Sequence, residues 1–332
     1  MHLYHTENKM NTNKLVSVII PTFNRSLDLT RALKTIQNQS FKDFEVKVID
    51  DNKDVEEIEL VKTICKQFGV SYLRNIRTPG GCGARNTGIL SSSAKYVAFL
   101  DDDDLWFPDK LKVQINFLEK NTDFTGVYCG YSAYYSDHDF HLISNSGINI
   151  NHKDVLQRKC PSSTSLVTVN RNALCDAGLF DEKLPSFQDY DMWLKLTNIG
   201  PIGYQNDVLA VFTQHGGDRV SVNLSKRFKG LRLIIEKWGH EIAQYQSIAT
   251  FEKSFKSDAY IANALAVAGN SYIYYIKYRG LSFFNSNFTI KGLLKLLSSF
   301  LGGKIYWFFV KQKAKKKLEQ NPNVKETIRA LR

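Results

Sequence analysis

The 332-residue sequence predicts an α/β fold: a Rossmann-like, mostly parallel central sheet flanked by helices, with a C-terminal helical, basic extension. Three observations predict it. Short β-branched runs alternate with segments of helical spacing through the N-terminal third, which is the pattern of a parallel sheet with right-handed crossovers. Polar clusters recur where those runs end, and ligands of open α/β sheets bind at the carboxyl ends of strands. Charge also changes sign along the chain: residues 1–224 carry 24 Lys/Arg against 27 Asp/Glu, residues 225–332 carry 20 against 6.

"LVSVII" (15–20) is β-branched and closed by Pro21, as expected of a buried parallel strand. After the turn "PTFNR", Leu29, Leu33 and Ile36 recur at helical spacing with Asp28 in the first turn, predicting a helix over 26–39. "FEVKVID" (44–50) is the second strand and leads into Asp51. "VEEIELVKTICKQFG" (55–69) is an amphipathic helix closed by Gly69. "VSYLRN" reads as the third strand, "GARNTGILSSS" as a helix start, and "KYVAFL" as the fourth strand, with Asp101–Asp104 at its end.

Residues 120–225 are less regular. They hold aromatic strand-like pieces ("GVYCGYSAYY", "SSTSLVTVN", "VLAVFTQHG") and a helix around "DYDMWLKLTNIG". From about 226 the composition shifts to helical, basic segments.

Several classes are excluded by composition. The five cysteines are odd in number, widely spaced and free of any CxxC pair, which reads as reduced thiols of a cytosolic protein. The polar opening "MHLYHTENKMNTNK" lacks the apolar stretch of a signal peptide, and no uncharged apolar window is long enough for a transmembrane helix. No GxGxxG follows the first strand, which argues against a dinucleotide-binding domain.

The chemistry centres on "FLDDDDLWFP". A solvated acidic turn fits poorly, because Leu100 precedes the run and "LWFP" follows it. Carboxylates crowded at a sheet's ligand edge suit Mg²⁺ or Mn²⁺, which takes one or two carboxylates and completes its shell with water and substrate phosphates.

"SVIIPTFNR", "VIDDNKD", "GARNTGI", "FLDDDDLWFPDKL" and "GLFDEKLPSFQDYDMWLKL" occur in that order. Together they resemble the family 2 nucleotide-sugar glycosyltransferases, whose catalytic domain has the GT-A fold, from about residue 15 to 222. The resemblance implies a GT-A domain over 14–224, with a nucleotide-binding half at 14–120 and an acceptor half at 121–224. Residues 1–13 are expected to be flexible.

By the same resemblance Asp103 is the metal ligand, Asp102 faces the ribose, and Asp101 supports sugar or metal. Asp104 is expected instead to cap a following helix. Pro21, Thr22, Asn24 and Arg25 belong to the base- and ribose-binding turn, although Arg25 also suits a plain helix start. Asp51 is the implied acceptor for the uracil imide, with a turn aspartate as the other reading and Asp50 structural. Arg85 contacts the diphosphate or braces the aspartates. "FQDYDMW" occupies the place of an ED-type acidic motif, with Gln188 where Glu is common. Asp189 is the implied base that takes the proton of the acceptor hydroxyl, while Asp191 and Asp181 are read as structural. In "TQHGGDRVS", His215 and Arg219 are candidates for the diphosphate, His215 also for the metal.

In the extension, Phe288, Ile290, Leu293, Leu294, Leu297 and Leu301 share one side, and "KIYWFFVKQKAKKK" adds aromatics and a lysine run. That pattern suits a helix on an anionic membrane; a helix packed back on the domain is the competing reading, and nucleic acid fits less well. The expectation is therefore a peripheral enzyme on the cytoplasmic face of a bacterial inner membrane. It would use Mn²⁺ or Mg²⁺ and a UDP-sugar to transfer one hexose, glucose as the best guess, with inversion. The acceptor would be a lipid-linked saccharide, GlcNAc-diphosphate-undecaprenol, of O-antigen or capsule assembly. The QxxRW motif and transmembrane helices of processive members are missing, which implies one sugar per encounter. The alternative is a non-catalytic nucleotide-sugar-binding or membrane-binding module.

Overall fold

The computed structural model describes residues 14–214, 223–267, 272–286 and 303–331, with positions 293, 296, 297 and 300. The chain runs β1 (Val16–Thr22), α1 (Ser26–Gln37), β2 (Phe44–Asp50), α2 (Val55–Phe68), β3 (Ser71–Arg74), α3 (Gly81–Ser91) and β4 (Tyr96–Phe99). It continues through β5 (Leu105–Trp106), α4 (Lys110–Lys120), β6 (Gly126–Tyr135), β7 (Phe140–Ser144), α5 (His152–Leu156), β8 (Val167–Asn170), α6 (Arg171–Asp176), α7 (Gln188–Ile199) and β9 (Ile202–Gln214). The extension holds α8 (Leu224–Ala243), α9 (Ile248–Val267), α10 (Tyr272–Phe284), α11 (Gly303–Glu319) and α12 (Pro322–Leu331).

The strands form one sheet in the order β3-β2-β1-β4-β8-β6-β9-β5, with β7 paired to β6. β3, β2, β1 and β4 are mutually parallel, with Val16 opposite both Phe44 and Tyr96. This is the parallel sheet expected from the alternating runs, and its register brings Thr22 level with Asp50. Beyond β4 the sheet becomes mixed: β8 is antiparallel to β4 and β6, and β9 is parallel to β6.

The core follows from composition. Ile19, Ile20, Val48, Ile49, Val97 and Phe99 are buried between the helices on either face. Each such side chain contributes about 1.5–3 kcal/mol relative to exposure. α2 begins where Asp54 accepts hydrogen bonds from the Glu56 and Glu57 amides, and ends at Gly69 in the left-handed region (φ 64). α3 lies unusually close to its surroundings. A Cβ on Gly83 would stand 1.9 Å from the Thr78 carbonyl oxygen, and one on Gly88 would stand 2.5 Å from Ile19 Cγ2. Gly88 lets α3 press onto β1 and Gly83 lets its first turn sit against the Thr78 loop, which carries Arg85 to the sheet edge.

The extension packs back on the sheet. Trp307 of α11 is buried against Tyr135 and Phe140, and Lys317 donates to the Ile143 carbonyl at 2.8 Å. Ile328 of α12 joins Leu105, Phe107, Val208 and Val211 in a small cluster. Phe308 and Phe309 of α11 remain 57% and 64% exposed. Of the amphipathic segment 288–301, only positions 293, 296, 297 and 300 are described, so the remaining stripe residues lie outside the described residues.

Candidate active site

The carboxyl ends of β1, β2 and β4 meet at one edge, because a parallel register aligns the ends of neighbouring strands. Each acidic cluster there is tied to a different part of the chain.

Asp50 is fully buried at the end of β2, where it accepts from the Tyr72 hydroxyl at 2.8 Å, Arg74 Nη1 at 2.7 Å and the Asn52 amide at 2.8 Å. It is structural, as the turn sequence suggested. Asp51 accepts from Asn75 Nδ2 at 2.7 Å through one oxygen and from the Gly80 amide at 2.6 Å through the other. Its carboxylate thus anchors the glycine-rich loop ahead of α3. Each oxygen keeps a second lone pair with which to accept a further donor.

The turn after β1 is pinned by its neighbours. The Asn24 amide donates to Asn52 Oδ1 at 2.6 Å, and Asn24 takes φ 53, a left-handed conformation that asparagine tolerates. Pro21 is partly exposed at the strand end and Thr22 is buried. The Thr22 hydroxyl donates to Asp102 Oδ2 at 2.8 Å, and Arg25 Nη1 reaches Asp102 at 3.3 Å and Asp103 at 2.6 Å. Arg25 is therefore more than a helix-start surface residue: it neutralises two carboxylates of the acidic run.

The four aspartates differ in environment. Asp102 is buried, and burial pushes its carboxyl up to about 7; Asp103 raises it further while Arg25 opposes. Asp101 takes Arg85 Nη2 at 2.5 Å, and its amide donates to Ser165 Oγ at 3.0 Å. Asp104 does not cap a helix. It is completely buried, and its Oδ1 accepts from the Thr213 amide of β9 at 2.8 Å. The residues that follow form β5, and α4 begins at Lys110 behind Asp109. The cap expectation failed because Asp104's partner lies 109 residues away on the neighbouring strand. Burial holds Asp104 well above the usual carboxylate range.

Asp189 sits in the first turn of α7, whose N-cap Phe187 has φ 61. Burial raises the Asp189 carboxyl above its ordinary value; the Tyr190 amide and the Arg85 guanidinium pull it down, and Asp101 pushes it up. Arg85 in turn feels both Asp101 and Asp189. Arg85 of α3 thus pairs with Asp101 just beyond β4, and Asp189 of α7 lies within electrostatic reach of both. Asp191, two residues on, is buried and bonded to Lys237 and Trp238, a structural role matching the expectation. Asp181 accepts from the Lys183 amide as a turn residue. Cys82 is a buried filler, its thiol pushed by burial up to about 12. His215 and Arg219 lie outside the described residues.

Sequence reading missed Asn75, Ser165 and Thr164. Asn75 was accessible in principle, since it follows the third parallel strand and must share that edge. Ser165 and Thr164 carry no local signal. They reach Asp101 across 64 and 63 residues of chain.

Among the described residues no group of three or more His, Cys, Asp or Glu side chains is placed to hold a metal by itself. Asp101 and Asp103 nonetheless offer two carboxylates on one turn. That matches an Mg²⁺-like ion, which binds one or two carboxylates and draws its remaining ligands from phosphate and water. The donor set therefore fits a cation shared with a diphosphate and does not fit a protein-enclosed metal.

The family model for glycosyl transferase family 2 matches residues 17–181. A glycosyltransferase of Rickettsia typhi is 30% identical over 230 residues, covering 66% of this chain and 70% of its own length. One from Rickettsia bellii is 32% identical over 65% of this chain, which spans only 31% of that longer protein. The Escherichia coli protein WfaP, named as a UDP-Glc:α-D-GlcNAc-diphosphoundecaprenol β-1,3-glucosyltransferase, is 26% identical over 64% of this chain and 82% of its own. Staphylococcus aureus TarS 1–349, solved with UDP-GlcNAc, superposes with TM-score 0.58 at 18% identity over 82% of this chain and 81% of its own. The mannosyltransferase PcManGT of Pyrobaculum calidifontis, solved with GDP-Man and Mn²⁺, gives 0.53 at 16% identity over 88% of each chain. The structural likenesses carry the GT-A fold. The sequence matches establish that this chain belongs to glycosyl transferase family 2.

Proposed function

We propose that this chain transfers one hexose, glucose, with inversion, from a UDP-sugar to a lipid-diphosphate-linked saccharide, GlcNAc-diphosphate-undecaprenol, in O-antigen or capsule assembly. The observation that carries the reading is the Arg85–Asp101 pair at the strand edge that also holds Asp103, with Asp189 in its electrostatic field. WfaP's named reaction supports the choice of donor and acceptor.

In this mechanism residues 14–120 hold the nucleotide and 121–224 the acceptor. The Thr22–Arg25 turn and Asp51 contact ribose and base, Asp102 faces the ribose while tied to Thr22 and Arg25, and Asp101 and Asp103 would ligate Mn²⁺ or Mg²⁺. When bound, that cation neutralises the diphosphate that leaves. Asp189 removes the proton of the acceptor hydroxyl as its oxygen attacks the anomeric carbon from the face opposite the UDP. Arg85 holds Asp101 and favours the ionised form of Asp189 against the effect of burial.

Attachment is proposed to be peripheral, on the cytoplasmic face of the inner membrane. No helix among the described residues is long and apolar enough to cross a membrane. The exposed Phe308 and Phe309, followed by Lys311, Lys313 and Lys315, support contact with an anionic surface.

The test is a panel of nucleotide-sugars assayed against a synthetic GlcNAc-diphosphate-lipid. Transfer from UDP-glucose that stops on chelation is the expected result. Protein that binds UDP and metal yet consumes no donor would overturn the enzymatic reading.

A further inference from the structure

A cavity of about 390 Å³ lies in the acceptor half, between β6, the start of β9 and the segment 158–162. That volume is within the range of roughly 300–1,000 Å³ typical of small-ligand sites. Tyr128, Tyr131 and Tyr204 supply its aromatic walls, and Ser162 a hydroxyl. Among the described residues that wall it, the charged ones are Arg158 and Lys159, both cationic.

Three features mark this as a built site. The first is the path of β6. Tyr128 and Tyr131 are three residues apart, so regular alternation would send them to opposite faces. The β6–β9 register shifts at Cys129/Gly130 and again at Gly130/Tyr131, and both tyrosines line the same cavity. Such bulges re-aim side chains beside functional sites.

The second is Arg158, the left-handed residue (φ 71) that closes α5, where its amide donates to the Val155 carbonyl and the Lys159 amide to that of Asp154. Its guanidinium pairs with Asp258 and lies over the Phe255 ring at 3.9 Å, yet its Nε is buried with no hydrogen-bond partner. Lys159 is tethered to Asp154 at 3.1 Å and remains exposed.

The third is continuity with the reaction centre. The segment that walls the cavity runs on to Thr164 and Ser165, which hold Asp101. Cys160 lies in the wall; burial pushes its thiol up to about 12, and the charge of Asp189 adds to the rise.

We infer that this cavity is the acceptor subsite and takes a glycosyl diphosphate, with the sugar against Tyr128, Tyr131 and Tyr204 and the diphosphate at Arg158 and Lys159. Aromatic faces suit the apolar side of a pyranose, and tyrosine hydroxyls serve its polar edge. A ligand end bearing negative charge would complement these two cations, which also pair with Asp258 and Asp154. The inference rests on the glycosyltransferase reading and adds where, and by which groups, the acceptor is held.

The test uses the full chain with UDP and Mn²⁺ present, and two probes measured by titration calorimetry. One is the α-GlcNAc diphosphate ester of a short phenoxyalkyl alcohol; the other is the same glycoside without phosphates. Wild type should bind the first about tenfold or more tightly than the second, the equivalent of one good charged contact. Lys159→Gln and Arg158→Gln should each weaken the diphosphate probe about tenfold and leave the phosphate-free glycoside unchanged. Tyr131→Ala should weaken both. Should Arg158→Gln unfold through loss of the Asp258 pair, Lys159→Gln decides alone. Absence of probe binding by wild type, or variants that bind as wild type does, overturns the inference. UDP affinity is followed in every titration. If it is intact while the probe results fail, only the subsite assignment falls; if it is absent, the nucleotide-sugar reading falls with it.

Discussion

Arg25 Nη1 lies 2.6 Å from Asp103 Oδ2 and 3.3 Å from Asp102 Oδ1, so a single guanidinium spans two consecutive carboxylates of the acidic run. Like charges this close repel, and this contact is part of what makes the cluster tolerable without a cation. Arg25→Met should therefore destabilise metal-free protein by about 1–3 kcal/mol, the usual scale for charged hydrogen bonds. Mn²⁺ should restore more stability to the variant than to wild type, because the ion supplies the missing positive charge. Thermal melts with and without Mn²⁺ read both effects; equal Mn²⁺ responses would contradict them.

Asp102 makes stability depend on pH. Its carboxyl is raised in the folded state from 3.8 to about 7, so between those values the folded protein binds more protons than the unfolded chain. Stability then falls as pH rises through that window, by at most about 4 kcal/mol from this group. Asp102→Asn cannot titrate and should flatten the profile between about pH 4 and 7 in metal-free protein. Urea denaturation across that range checks it, and a profile as steep as wild type would rule Asp102 out as the source.

Asp189 is expected to act as the base, so Asp189→Asn should lower turnover by about 10²–10⁴-fold with UDP affinity unchanged. Because burial raises its carboxyl, the acid limb of the rate profile should lie above that of an ordinary carboxylate. Arg85 pulls the same group down, so Arg85→Gln should move that limb to higher pH as well as weaken Asp101. A limb that stays in place would mean that Arg85 does not act on Asp189.

The extension calls for separate tests of stability and attachment. Removing 303–332 would uncover Tyr135, Phe140, Leu105 and Val211, and is expected to lower the melting temperature. Phe308→Ser with Phe309→Ser alters only exposed side chains and should leave the melt unchanged while reducing sedimentation with anionic vesicles. Unchanged sedimentation would place the membrane contact elsewhere.

Much of the nucleotide-binding half was legible from local pattern. Apolar runs that alternate with helical spacing and end in polar residues specify parallel strands, and parallel register then brings the ends of β1, β2 and β4 to one edge. Gly69 and the acidic residues in the first turns of α1 and α2 also act locally, which is why those helices lie close to where the spacing puts them. The acceptor half was less legible. Its mixed pairing joins strands distant in sequence, and the bulge at Gly130 breaks the alternation on which strand reading depends.

By itself, then, the sequence determined the family, the parallel sheet and the identity of the acidic residues at its edge, since these depend on residue type and short-range spacing. Only the tertiary structure decided what each aspartate does there. Asp104 became a buried tie to β9 and Asp102 a partner of Thr22 and Arg25, while Asp101 was drawn to Arg85, whose charge also acts on Asp189. The physical reason is that a carboxylate's role is set by its burial and by the donors that reach it, and here those donors come from strands and helices far along the chain.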